Sequence, residues 1–150
     1  SHRYRDHSPA EARFRTYIGA MERAGLPCEL IGTNLLHHTS IHDALQKYIA
    51  EFGCPEALVC VNDETAMYVY RALVDLGFKI PDNTFLLGCD GLPFMNCFEP
   101  PLSTIAQPTE EICALAWQFL KNRMANPDLP RQEATFDAQL VVRKSMMNLV

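Results

Sequence analysis

No stretch of this sequence approaches the roughly 20 consecutive apolar residues that a helix needs to cross a bilayer, so it does not read as a membrane protein. It has no dense run of Lys or Arg. Its 13 basic residues stand against 18 acidic ones, a formal charge of −5, which argues against this segment gripping nucleic acid itself. The opening residues, "SHRYRDHSPAE", lack the apolar core of a signal peptide. The six cysteines, at 28, 54, 60, 89, 97 and 113, form no CxxC pair, which weakens a zinc reading. Cys60, Cys89 and Cys113 sit inside apolar stretches, where a free thiol behaves as a small hydrophobe; the expectation is a reduced, cytoplasmic protein with structural cysteines. There is no glycine-rich phosphate loop and no nucleophile in a GxSxG-type elbow, so no catalytic residue and no cofactor is expected.

What is present is ordinary for a globular protein. The 150 residues are 48% hydrophobic and 21% charged, enough for one domain with a sizeable core or a piece of something larger. In "HSPAEARFRTYIGAMERAG", Ser8 can cap a helix, Pro9 suits its first position and Glu11 completes a capping box. Phe14, Tyr17, Ile18 and Met21 then form one stripe, and Gly25 ends it. "CELIG" (28–32) reads as a short strand. "TSIHDALQKYIAEFG" reads as a helix starting near Ser40, lined by Ile41, Leu45, Tyr48 and Phe52. "EALVCV" is a strand, "DETAMYVYRALVDLG" a helix and "TFLLGC" a strand. "STIA" is a brief extended piece, "TEEICALAWQFLKNRM" a helix and "ATFDAQLVV" a closing strand. Apolar strands separated by helices imply an α/β, doubly wound parallel sheet. The first helix has no strand before it. The 109–124 helix carries a stripe of Ile112, Ala116, Phe119 and Leu120 in need of a partner. Both features suggest absent upstream sequence.

In an open α/β sheet, ligands bind at the carboxyl ends of the strands. That rim collects Asn62-Asp63, Asp90 and Gln107, and Arg13 lies in the first turns of a helix facing the same edge. Such a set can hydrogen-bond a polyhydroxylated or heterocyclic molecule from several sides. Each residue also has a plainer use: Asp63 as the cap of the following helix, Asn62 bonded to loop backbone, Asp90 in a turn with Gly91. Helix 64–76 is apolar nearly all round, which fits either a central helix or one face given to a second subunit. His38 and His42 stand four apart, but with the helix starting near Ser40 they would not share a face, and no third metal ligand is near.

The stretch 57–120, with its ND dipeptide, "RAL…G…IPD", "GCDG", "PPLSTIAQP" and the later "LVVRKS", resembles the effector-binding core of the LacI/GalR family of bacterial transcription regulators, over residues 8 to about 145. The resemblance implies a periplasmic-binding-protein-like (type I) sensor of two lobes hinged around a small molecule, in a homodimer that reaches operator DNA through an N-terminal headpiece. It would assign residues 1–106 and 127–145 to the second lobe and 107–126, with its helix, to the first. It implies effector contacts at Arg13, Asn62, Asp90 and Gln107, and a stacking residue near His37 and His38. It implies dimer contacts at Met67, Tyr68, Tyr70, Arg71, Val74 and Phe94. The effector would be a sugar, a sugar derivative or a nucleoside or purine. Thr16, Cys89 and Gly91 depart from the family pattern and leave the ligand's identity open. A transport-type periplasmic sugar-binding protein is the competing reading, and the unpaired cysteines and the apolar 64–76 helix speak against it.

Overall fold

The computed structural model describes residues 9–32 and 38–147, apart from the side chains of His38 and Thr39. Ser8, the expected first cap, and His37 lie outside them. Helix α1 runs Pro9–Ala24, α2 His38–Phe52 and α3 Asp63–Asp75; α4 runs Thr109–Ala125. Strands β1 (Ala57–Val59), β2 (Phe85–Asp90), β3 (Ser103–Ala106) and β4 (Gln139–Val141) form one sheet in that order.

The pairs β1–β2 and β2–β3 are parallel, whereas β4 pairs antiparallel with β3, Ile105 opposite Leu140. The expected all-parallel sheet therefore holds for three strands. The irregular segment 126–138 leads the chain back after α4, and the last strand enters against its neighbour. The expected strand at 28–32 does not form. Cys28, Glu29 and Leu30 are exposed, and the segment joins no ladder among the described residues, so its backbone lacks the partner a strand requires. It is tied down by side chains instead: Tyr17 Oη donates to the Glu29 carbonyl at 3.0 Å, and Tyr48 Oη to the Glu29 carboxylate.

The core lies between the sheet and the α2–α3 pair. Ile41 and Leu45 of α2, Ala66, Val69, Ala72 and Leu73 of α3, and Leu86 of β2 are all buried in one cluster with Met95 and Leu102. Each fully buried Leu adds roughly 1.5–3 kcal/mol relative to exposure. Ile49, not Phe52, continues the α2 stripe. Phe52 is 68% exposed and meets only the tilted ring of Tyr48 at 5.1 Å. Helices α1 and α4 bury no residue; Phe14, Trp117, Leu120 and Met124 are all exposed. Ser145 closes the opposite side of the sheet. Its Oγ donates to the Leu86 carbonyl (2.7 Å) and accepts from the Ser103 amide (2.8 Å), both bonds inside the core.

Candidate functional site

The carboxyl ends of β1, β2 and β3 bring the expected polar residues together. Asp90 closes β2, and its Oδ1 accepts from Arg13 Nη2 at 3.0 Å and from Gln107 Nε2 at 2.8 Å. Arg13 also donates through Nη1 to the Val61 carbonyl at 2.7 Å, so α1 is pinned across the ends of both β1 and β2. Both side-chain bonds end on Oδ1. Oδ2 accepts no hydrogen bond among the described residues, and the Arg13 and Asp90 side chains are each 31% exposed. A carboxylate held by a guanidinium and partly open to solvent is an acceptor ready for a ligand hydroxyl.

Asp90 is the only non-glycine residue with positive φ among the described residues, at 141°. Such a conformation costs on the order of 1–3 kcal/mol and persists where the surroundings over-determine it. Gly91 follows at φ 84°, so the chain turns here as the sequence suggested. The Asp90 carboxylate, however, serves Arg13 and Gln107 rather than a local side-chain turn.

The two residues after β1 exchange their expected roles. Asn62 is the N-cap of α3, accepting from the Thr65 amide at 2.8 Å. Asp63 is fully buried and points back into the sheet. Its Oδ2 accepts from the amides of Gly91 (2.9 Å) and Leu92 (2.7 Å), its Oδ1 from Thr104 Oγ1 (2.7 Å). The capping reading of Asp63 is thus corrected: Asn62 already stands at the extended cap position, and the next carboxylate is engaged by three donors from the turn after β2 and from β3. Gly88 makes room for it, since a Cβ there would come within 2.2 Å of Asp63 Oδ1. Nothing in the sequence named this inner carboxylate, although a glycine amid the apolar "LLGC" of β2 is a mark of close approach.

The two buried cysteines near the cluster are held in the neutral thiol form. Burial pushes the Cys60 thiol up to about 12, helped by the charge of Asp63. Cys89 is also raised, mainly by burial, with Arg13 opposing and Asp90 and Asp63 reinforcing the shift. Helix α2 begins at His38, two residues earlier than expected, so His38 and His42 do share one helix. Even so, no group of three potential metal ligands occurs among the described residues.

The expected dimer residues divide. Tyr68, Val74 and Phe94 are exposed, and Arg71 is exposed and paired with Asp75. Met67 packs against the core. Tyr70 meets Phe98 edge-on at 4.9 Å and donates to the Glu99 carbonyl at 2.7 Å. Phe94 sits on a 3-10 turn, Pro93–Cys97, anchored by the buried Met95.

A mostly parallel α/β sheet with a polar cluster at its strand ends follows the rule that open α/β sheets bind ligands at that edge. The chain belongs to the periplasmic binding protein-like domain family, which it matches over residues 2–146, in the form carried by LacI-family transcription regulators. It is 32% identical over 142 residues to the ribose operon repressor of Escherichia coli (strain K12), covering 93% of this chain and 43% of that repressor. It superimposes on a LacI-type transcription regulator from Bifidobacterium animalis with a TM-score of 0.85 and 26% identity, over 97% of this chain and 53% of that one. It also matches a LacI-family regulator of Enterococcus faecalis with bound ribose at a TM-score of 0.78 and 28% identity, covering 96% and 52% of the two chains. The chain thus spans under half the length of the repressor it matches and about half of each solved structure. No helix among the described residues is long and apolar enough to cross a membrane.

Proposed function

We propose that this chain is the effector-sensing and dimerisation portion of a non-enzymatic, cytoplasmic LacI-family repressor, and that its effector is a small sugar of the ribose type. The observation that carries the reading is the Arg13–Asp90–Gln107 cluster at the strand ends, part-exposed to solvent. Arg13 and Gln107 donate and Asp90 accepts, which matches the alternating donors and acceptors of vicinal hydroxyls. The ribose operon repressor and the ribose-bound regulator among its relatives support that sugar class.

In the intact protein, residues 1–106 and 127–145 form one lobe, and α4 packs its exposed apolar side on the other. Its exposed Trp117, Leu120 and Met124 support that division, whereas α1, which also buries no residue, is tied to this lobe through Arg13. Effector binding favours one arrangement of the lobes and, through the homodimer formed along α3 and Phe94, changes how the N-terminal headpieces meet operator DNA.

Thermal unfolding of the intact protein against D-ribose, other pentoses, hexoses and nucleosides tests the assignment. A true effector at a hundred times its Kd stabilises by about 2.7 kcal/mol. A rise in Tm confined to pentoses is expected. A response to nucleosides alone moves the effector to the purine class, and a response to none of these compounds refutes the reading.

A further inference from the structure

We propose that Asp63 is a positioning residue for the ligand cluster, acting through Asp90 and not on the ligand itself. The inference rests on the reading that Asp90 receives the effector, and it deepens it.

Asp63 is wholly buried at the first turn of α3, yet every group its carboxylate engages belongs to the β2–β3 edge. The Gly91 amide lies in the same peptide unit as the Asp90 carbonyl. Fixing that amide on Asp63 Oδ2 therefore fixes rotation about the Cα–C bond of Asp90. The Leu92 amide on the same oxygen holds the following peptide, so the turn cannot swing as a unit. Thr104 ties the other carboxylate oxygen to β3, three residues before Gln107. The Gly91 amide reaches Thr104 Oγ1 as well, at 3.2 Å.

One close approach involves this carboxylate and a second holds the turn beside it. Gly88 leaves the space that Asp63 Oδ1 fills, and a Cβ on Gly91 would stand 2.7 Å from Ala106 Cβ, so the turn is pressed onto β3. Asp90 is held at φ 141° in the middle of this clamp. A residue in that conformation stays there only while its neighbours impose it. Asp63 holds the peptide that leaves Asp90, and through it the place of Asp90 Oδ1 between Arg13 and Gln107. A purely structural carboxylate would hold the fold together without setting where Asp90 points.

The test uses the intact protein, selectively 15N-labelled at Gln and Gly, in Asp63→Ala, Asp63→Asn and Asp90→Ala forms. In Asp63→Ala the Gln107 side-chain amide signal is expected to move to its position in Asp90→Ala. In Asp63→Asn, whose amide oxygen can still accept from Gly91 and Leu92, it stays near the wild-type position. A Gln107 signal unmoved in Asp63→Ala, with only Gly91 displaced, overturns the proposal. If Asp63→Ala does not fold, Thr104→Val removes one donor and is read the same way, with a smaller displacement in the same direction.

Calorimetry with D-ribose adds the functional arm. Asp63→Ala weakens binding at least tenfold in the wild-type background and adds no further loss in the Asp90→Ala background. Equal losses in both backgrounds also overturn the proposal. Wild-type protein that binds no ribose counts against the sugar assignment and leaves the Gln107 signal to decide this one.

Discussion

Replacing Gly88 by alanine tests the packing around the buried carboxylate with one methyl group. The added Cβ would lie 2.2 Å from Asp63 Oδ1, 3.2 Å from Asp63 Cγ and 3.0 Å from Met95 Cε. Met95 is a flexible thioether and can give a few tenths of an ångström; a carboxylate held by three donors cannot. Overpacking alone costs about 1–3 kcal/mol. Displacing Asp63 also strands the Gly91 and Leu92 amides and the Thr104 hydroxyl, at about 1–3 kcal/mol for each buried group that stays unsatisfied. Water reaching the half-buried turn offsets part of that loss, so the expected total is about 3–5 kcal/mol. For a protein whose whole stability is about 5–15 kcal/mol, that is a large fraction. Urea unfolding followed by circular dichroism reads it as a lowered midpoint at unchanged slope. Gly19→Ala is the control: it lies mid-helix in α1 with only the far end of Arg23 within 3.3 Å, and is expected to stabilise by about 0.5–1 kcal/mol. A Gly88→Ala protein within about 0.5 kcal/mol of wild type would refute the packing argument, since surface substitutions alone produce changes of that size.

Ser145→Ala removes the hydroxyl that serves both the Leu86 carbonyl and the Ser103 amide, and a loss of about 1–3 kcal/mol in urea unfolding is expected. Native-state labelling with a thiol-reactive disulfide at pH 8 should modify Cys28, Cys97 and Cys113 and spare Cys60 until the chain unfolds. With its pKa at about 12, only about one Cys60 in 10,000 is thiolate at that pH. The same burial has a pH sign. The stability contributed by keeping Cys60 neutral is present below the ordinary thiol value of 9.0 and is lost as pH rises from there toward about 12, so Cys60→Ala should flatten the alkaline fall of the urea midpoint. Val74→Asp places a charge on the exposed side of α3, and light scattering should show the proposed dimer broken with the melting temperature little changed. A dimer that survives Val74→Asp moves the interface off this helix.

The order of elements was legible because short apolar runs, period-3.6 stripes and helix-ending glycines are local signals, and a mostly parallel sheet with four helices followed from them. The strand at 28–32 and the direction of β4 were not legible in the same way. Pairing is a property of the neighbour, and neither Leu30 nor Leu140 carries a mark of what lies beside it. The strand-end cluster was legible as a set, since Arg13, Asp90 and Gln107 converge through topology alone. The exchange between Asn62 and Asp63 was hidden. Both are good cap residues, and only the third dimension shows that Asp63 has the Gly91 and Leu92 amides within reach.

The central claim is that Asp90 receives the effector. Titration calorimetry of D-ribose into the intact protein, wild type beside Asp90→Asn, tests it most directly. Losing charge-assisted bonds worth about 1.5–3 kcal/mol predicts roughly a ten- to hundredfold weaker Kd for the variant with its melting temperature nearly kept. Ribose bound equally well by both proteins would contradict the account, because the Asp90 carboxylate would then not be where the sugar is held.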